Sequence, residues 1–296
     1  MKYLRLKNLL IAVLAILTAH FTFAQNDASD YHLDETYPMR KNGKLWMNPE
    51  DAKVTVIGSN RSDVHIKVDR IEEVKGFSNR NRKFSIDVES RDGDIFFKER
   101  ERNNSYVVGS VRLDYTVLVE LPQGASLTVR SDDSDYTVTN VNGEIDMSMD
   151  DGDATLKSCN GSKFSFDFDD GDLTMDSGTG EIYARLDDGN AYIRNGSYTD
   201  VELKVDDGSI VLETDLSDDG TYRIMGDDAR IELNVLSGGG EIVVDGDDTS
   251  VRASGEFRER ESSEDRSVYS LAGGKAKVRI RTDDGRVRIS NNSNKM

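Results

Sequence analysis

Residues 145–156 read IDMSMDDGDATL, and residues 164–175 read FSFDFDDGDLTM. In each, apolar side chains alternate up to an Asp-Asp-Gly turn and alternate again after it. Ile145, Met147 and Met149 precede the first turn and Ala154 and Leu156 follow it; Phe164, Phe166 and Phe168 precede the second, with Leu173 and Met175 after. A period of two predicts strands with one buried face on both sides of the turn. The block recurs, starting at Asp132, Asp150, Asp169, Asp187, Asp206, Asp227, Asp247 and Asp283. The steps are 18, 19, 18, 19, 21, 20 and 36 residues. A self-similar period of this size marks a stacked array, in which each unit buries its apolar face only against its neighbour.

A second turn closes each unit, at Asn160-Gly161, Ser177-Gly178-Thr179-Gly180, Asn195-Gly196, Asp219-Gly220 and Gly238-Gly239-Gly240. Two folds satisfy this pattern. Asp-Gly between alternating apolar residues suits a hairpin, so a meander would set Met149 against Ala154 and Met147 against Leu156. Alternatively, Asp-Asp-Gly is a corner, and equivalent strands of successive coils stack in parallel. The steady period and the same residues at the same corner favour the coil. A meander would also need a second layer over its inner face, which nothing in the chain supplies. The expected fold is all-β: a parallel β-solenoid of about 19 residues per coil, right-handed as parallel crossovers nearly always are.

Segment boundaries follow from composition. Residues 1–24 read as a signal peptide: Lys2, Arg5 and Lys7 precede the apolar run Leu9 to Leu17, and Thr22-Phe23-Ala24 leads to cleavage before Gln25. The run is shorter than the roughly 20 residues of a bilayer span, and no later segment is a transmembrane candidate. A flexible segment is expected over 25–36, an N-terminal β cap over 37–121, acidic repeats over 122–254 and a polar loop over 255–274. Capping strands over 275–290 and a tail over 291–296 complete the chain. Trp46, the only tryptophan, is expected to pack in the N-terminal cap.

The chain of 296 residues carries 38 Lys and Arg against 56 Asp and Glu, a formal charge of −18. Between Ser131 and Ser250 there are 31 acidic and 7 basic residues. Such a body lacks the basic face that displaces phosphate counterions, which argues against nucleic acid as a partner. Basic residues gather instead near the end, with Lys275, Lys277, Arg279 and Arg281 on one strand phase and Arg286 and Arg288 after the turn. Cys159 is the only cysteine, so no internal disulfide and no cysteine-based metal cluster forms.

Three stretches resemble the bacterial putative-adhesin repeat family, an exported envelope domain of unknown function. Gly43-Lys44-Leu45 is followed by Lys53 to Gly58 and Ser62 to Val68; Tyr115 to Pro122 leads through Leu127-Thr128-Val129 into the repeats; and Val278 to Ile289 looks like a closing strand pair. The resemblance spans about residues 37–290. It implies an exported, elongated β-repeat protein and brings no catalytic residues. The expected location is the periplasm, cell surface or extracellular space, with an envelope protein or glycan as partner.

The aspartate rows carry the chemistry. In a stacked coil, equivalent residues lie about 4.7–4.9 Å apart. Like charges at that distance repel by roughly 1 kcal/mol in water and about 3.5 kcal/mol at an effective dielectric of 20. The candidate metal ligands are Asp132, Asp133, Asp150, Asp151, Asp169, Asp170, Asp187, Asp188, Asp206, Asp207, Asp227, Asp228, Asp247 and Asp248. Calcium is the candidate ion, since it takes six to eight oxygen ligands. Turn chemistry explains Asp-Gly equally well, and no copy has EF-hand or Gly-Gly-x-Gly-x-Asp spacing. A polysaccharide-acting enzyme is the alternative, since paired carboxylates can cleave glycosidic bonds. Its active site should break the repeat locally, and no corner does. A third class, an envelope-stress module that binds a protein, leaves no trace in the sequence.

Overall fold

A computed structural model describes residues 30–79, 82–103 and 106–291; the expected signal peptide over 1–24, the start of the expected flexible segment over 25–29 and residues 292–296 lie outside it. The described residues form strands and turns without helix. The N-terminal third holds β1 (Tyr31–Pro38), β2 (Lys44–Asn48), β3 (Lys53–Ser59), β4 (Asp63–Asn79), β5 (Arg82–Arg91), β6 (Asp94–Asn103) and β7 (Tyr106–Pro122). The body holds β8 (Ser126–Asp133), β9 (Asp135–Thr139), β10 (Ile145–Asp151), β11 (Ala154–Lys157), β12 (Lys163–Asp170), β13 (Leu173–Met175), β14 (Gly178–Thr214) and β15 (Thr221–Val235). The last third holds β16 (Gly240–Asp245), β17 (Ser250–Ser254), β18 (Arg258–Ser262), β19 (Arg266–Leu271), β20 (Ala276–Thr282) and β21 (Arg286–Asn291).

Equivalent strands of the body stack in parallel. Ile145 pairs with Leu127 on one side and Phe164 on the other, Phe164 with Ile182, and Val201 with Tyr222. The same holds after the corner, where Leu156 pairs with Val138 and Met175. The antiparallel meander is therefore excluded. In-register stacking keeps every apolar phase on one face, so Ile145, Met147, Met149, Ala154 and Leu156 are all buried, as are Phe164, Phe166 and Phe168. Trp46 lies on the outward phase instead. It is 39% exposed and stacked on Phe96, because its neighbours Leu45 and Met47 take the two inward positions.

Both ends depart from sequence order. At the start, β2 runs between β6 and β8, and β3 between β7 and β9. At the end, β20 runs between β15 and β16, and β21 between β15 and β17. The strands of 275–290, expected as caps, are thus interior ones. They are apolar on the inward phase at Val278, Ile280, Val287 and Ile289, and fully buried there. The edge is instead an antiparallel hairpin: β19 pairs with β16 and β18 with β19. This hairpin replaces the polar loop expected over 255–274. Val268, Tyr269 and Leu271 are buried and anchor it, while β18 is exposed throughout. Residues 31–36 are likewise a strand, not a flexible segment. They pair antiparallel with β4, with Tyr31 and Leu33 packed against the core.

Candidate cation-binding edge

The Asp-Asp-Gly corners form one edge of the molecule. Asp151 pairs with Asp133, Asp170 with Asp188, and Asp207 with Asp228. Backbone geometry dictates the glycine. At Gly189 φ is +144°, and an added Cβ would lie 2.1 Å from the Gly171 carbonyl oxygen. Corner backbone therefore packs on corner backbone, which leaves the aspartates pointing outward. All fourteen candidate aspartates are exposed or half-exposed on this edge.

Because the end coils are inserted out of order, the row differs from the sequence list. Asp283 and Asp284 sit between the Asp227 and Asp247 corners, as the Asp284 N–H bond to the Asp227 carbonyl and the Ser250 N–H bond to the Gly285 carbonyl show. At the other end, Pro49-Glu50-Asp51 forms the corner between β2 and β3. It stacks on the Asp132 corner: Ser131 Oγ donates to the Pro49 carbonyl at 2.5 Å, and Asp135 N–H to the Ala52 carbonyl at 3.0 Å. The row thus has nine acidic corners. Glu50 and Asp51 were invisible to motif reading because they lack Asp-Asp-Gly; the Leu45/Met47 and Val54/Val56 alternation around them was the available signal. Burial pushes the Glu50 carboxyl up, and the Asp132, Glu101, Asp51 and Asp133 charges push it further.

The residue after the corner glycine, or after Ser134 in the first copy, has another task. Asp135 Oδ1 accepts the Asp153 N–H at 3.2 Å, Asp153 Oδ1 the Asp172 N–H at 2.9 Å, and Asp172 Oδ1 the Asn190 N–H at 2.9 Å. This ladder ties corner to corner, and its carboxylates are engaged with backbone donors.

Two corners carry a counter-charge from their own strand: Arg185 reaches Asp187 at 3.0 Å and Lys204 reaches Asp206 at 2.7 Å. Near the N-terminal end, an open cleft of about 280 Å³ is lined by Glu50, Asp132, Asp150 and Arg130. The Arg130 guanidinium is bound to Asp146 at 3.1 Å. Towards the other end, a wider cleft of about 670 Å³ mixes Asp228, Asp248 and Asp284 with Arg230 and Arg286. Among the described residues no three His, Cys, Asp or Glu side chains converge as a preformed metal-ligand set. The edge is a row of separate carboxylates and not a cage.

A model of the Toastrack DUF4097 family matches residues 43–290. The chain belongs to that family. This Toastrack chain also resembles several solved structures. A putative adhesin from Bacteroides fragilis NCTC 9343 shares 11% identity over 88% of this chain and 98% of its own, with a TM-score of 0.49. A putative cell adhesion protein from Clostridium sporogenes ATCC 15579 shares 16% over 88% and 100%, with a TM-score of 0.32. A putative lipid binding protein from Parabacteroides distasonis ATCC 8503 shares 11% over 89% and 97%, with a TM-score of 0.37. No curated protein matches the chain. Within the described Toastrack fold, no helix is long and apolar enough to cross a membrane. Burial raises the pKa of the Cys159 thiol, which disfavours the thiolate.

Proposed function

We propose that this chain is an exported, non-catalytic, adhesin-like module of the cell envelope that gathers divalent cations, calcium foremost, along its acidic edge. The coil is right-handed, at about 19 residues per turn. The observation that carries this reading is the in-register row of nine carboxylate corners on one edge. Carboxylates held about 4.8 Å apart repel their neighbours. A cation between two corners relieves that repulsion and takes oxygen ligands from both. Each site is weak, and their number along one body supplies avidity towards a surface bearing the same ions. Catalysis is disfavoured because the corners repeat the same chemistry, with no nucleophile and base set apart at any one of them. The leader-like sequence of residues 1–24 supports export.

Titration calorimetry with calcium at about 0.15 M salt, where exposed charges are screened beyond roughly 8 Å, tests the cation site. Saturable binding that raises the melting temperature, with magnesium weaker, is expected. A flat titration refutes it. Export is tested by fractionating cells: recovery of an unprocessed chain in the cytoplasm refutes that part.

A further inference from the structure

A strongly basic strand lies in the interior of the stack. β20 holds Lys277, Arg279 and Arg281 on its outward phase and no acidic residue, and Lys275 comes just before it; all four cations are exposed. On a terminal strand such charges blunt edge pairing. β20 needs no such protection, because β15 pairs with it on one side and β16 on the other. Nor are the cations neutralised in place. Across the outward face Arg279 lies between Arg223 and Val243, and Arg281 between Met225 and Asp245. Asp245 is held by Arg266, and Arg223 lies 3.6 Å from Asp200. Glu241 stands beside Lys277. Among the described residues, none of the four cations forms an ion pair.

The opposite imbalance lies towards the other end of the stack. Asp187 and Asp206 have Arg185 and Lys204 as counter-charges. The four corners before them are Glu50-Asp51, Asp132-Asp133, Asp150-Asp151 and Asp169-Asp170. All eight carboxylates are exposed, and among the described residues no Lys or Arg is in ion-pair contact with them. These corners are consecutive rungs: β2 and β3 pair with β8 and β9, these with β10 and β11, and these with β12 and β13. At about 4.8 Å per rung they span about 14 Å. At about 3.3 Å per residue, Lys277 to Arg281 spans about 13 Å, and about 20 Å when Lys275 is included. The acidic row runs across the strands and the basic row along one.

We propose that the β20 row seats the acidic edge of a second copy of this chain, at those four corners, with the two stacks crossed near a right angle. Both rows are exposed, both lack counter-charges of their own, and their lengths agree. The chain supplies them in equal number, which favours a second copy over an unrelated polyanion. One copy cannot close on itself, because β14 and β15 lie between the two rows. The contact is therefore heterologous and passes from copy to copy. The formal charge of −18 opposes approach at long range, but at about 0.15 M salt that repulsion is screened beyond roughly 8 Å, while the two rows act in contact. Exposed pairs of this kind are individually weak, so the association is salt-sensitive. It uses the acidic edge but needs no bound cation, and so goes beyond the calcium reading.

Sedimentation velocity on the full chain in EDTA tests this apart from any calcium effect. At about 0.1 M salt, where the screening length is about 10 Å, the sedimentation coefficient should rise with protein concentration; at about 1 M salt, where it is about 3 Å, the rise should vanish. Arg279→Gln with Arg281→Gln removes the seat and keeps the edge. Asp150→Asn, Asp151→Asn, Asp169→Asn and Asp170→Asn together remove the edge and keep the seat. Each variant should self-associate about ten-fold more weakly. An equimolar mixture should recover the parental affinity, since each supplies what the other lacks. All the substituted side chains are exposed, and circular dichroism checks that both variants fold. A parent that stays monomeric at 0.1 M salt overturns the proposal; if the β20 row then retains dextran sulfate, it serves an external polyanion instead. A mixture no tighter than either variant alone also overturns it, since association would then use other surfaces. A flat calcium titration leaves this inference standing, and a monomeric parent leaves the calcium reading standing.

Discussion

Gly189→Ala should destabilise the protein severely although it adds one methyl group at the surface edge. Glycine holds φ of +144° there, and a side chain in that region costs about 1–3 kcal/mol. The added Cβ also meets the Gly171 carbonyl oxygen at 2.1 Å, which is backbone and cannot rotate away. Relief requires the two coils to part at the corner. That strains the Gly171 N–H bond to the Asp188 carbonyl at 3.1 Å and the Asn190 N–H bond to Asp172 at 2.9 Å. Each is worth about 0.5–1.5 kcal/mol. Together the loss is about 3–5 kcal/mol, or on the order of 10 °C in melting temperature for a domain of this size. The molecule holds its own comparison at Ala229, buried at the equivalent corner and absent from the residues with positive φ. Ala229→Gly should cost about 1 kcal/mol, chiefly through the unfolded chain. Far-UV circular dichroism against urea measures both. If Gly189→Ala lies within 0.5 kcal/mol of the parent, glycine stacking does not fix the corner and the outward aim of the aspartates needs another cause.

Phe166→Ala should cost about 3–5 kcal/mol in the same assay, since Phe166 is fully buried between Phe164 and Phe168; Tyr183→Ala, exposed, should stay within about 0.5 kcal/mol. His65 lies 2.8 Å from Asp34 and 3.2 Å from Glu120. Its pKa is raised, by the bond to Asp34 first, with burial opposing and Glu120 adding. The contribution of His65 is full below its unfolded pKa of about 6.5 and is lost as pH rises through the higher folded value. His65→Gln should remove that slope from urea midpoints taken across this range. Glu99 gives a fall in the same direction over a lower range, from a different cause: burial, the largest, pushes its carboxyl up to about 7. The unfolded chain ionises first, so stability should fall as pH rises from about 4.5 to 7, and Glu99→Gln should flatten this fall.

Much of the body was legible because stacking in register repeats one chemical problem. Each coil needs an inward apolar phase and a corner without a Cβ, so Met147, Phe166, Ala184 and Leu203 recur beside Asp-Asp-Gly. The ends were not legible in this way. Periodicity reports what a unit is, and a parallel edge accepts any strand with the right inward phase. Nothing in Val278 or Ile280 says that the first lies between Tyr222 and Ile242 and the second between Ile224 and Val244, and not beyond them. The Glu50 corner was hidden for the related reason that its backbone turn uses Pro49 and a positive φ at Asp51. Charge density concealed the hairpin over 258–271, where alternating Arg and Glu mark an exposed strand as readily as a loop. The far ends of β4 and β7 were masked by their hydropathy. Phe77, Tyr106 and Val108 suit a buried strand, and only the structure shows them exposed.

Insertion of the final coil between two earlier ones bears on how this chain reaches its folded form. Thr221 must wait for Lys277, 56 residues later, and the coil of 240–254 has no place on the stack until 276–291 has arrived. A chain growing from its N-terminus would thus hold an unfinished edge until residues 276–291 are made, so their removal should undo more than the residues removed. The same closure sets the length. An open array can gain or lose units by duplication at its ends, whereas here a unit following β21 would start from a gap already occupied between β15 and β17. Gain or loss of a coil is therefore least disruptive in the middle of the stack, where it leaves the insertions at both ends intact.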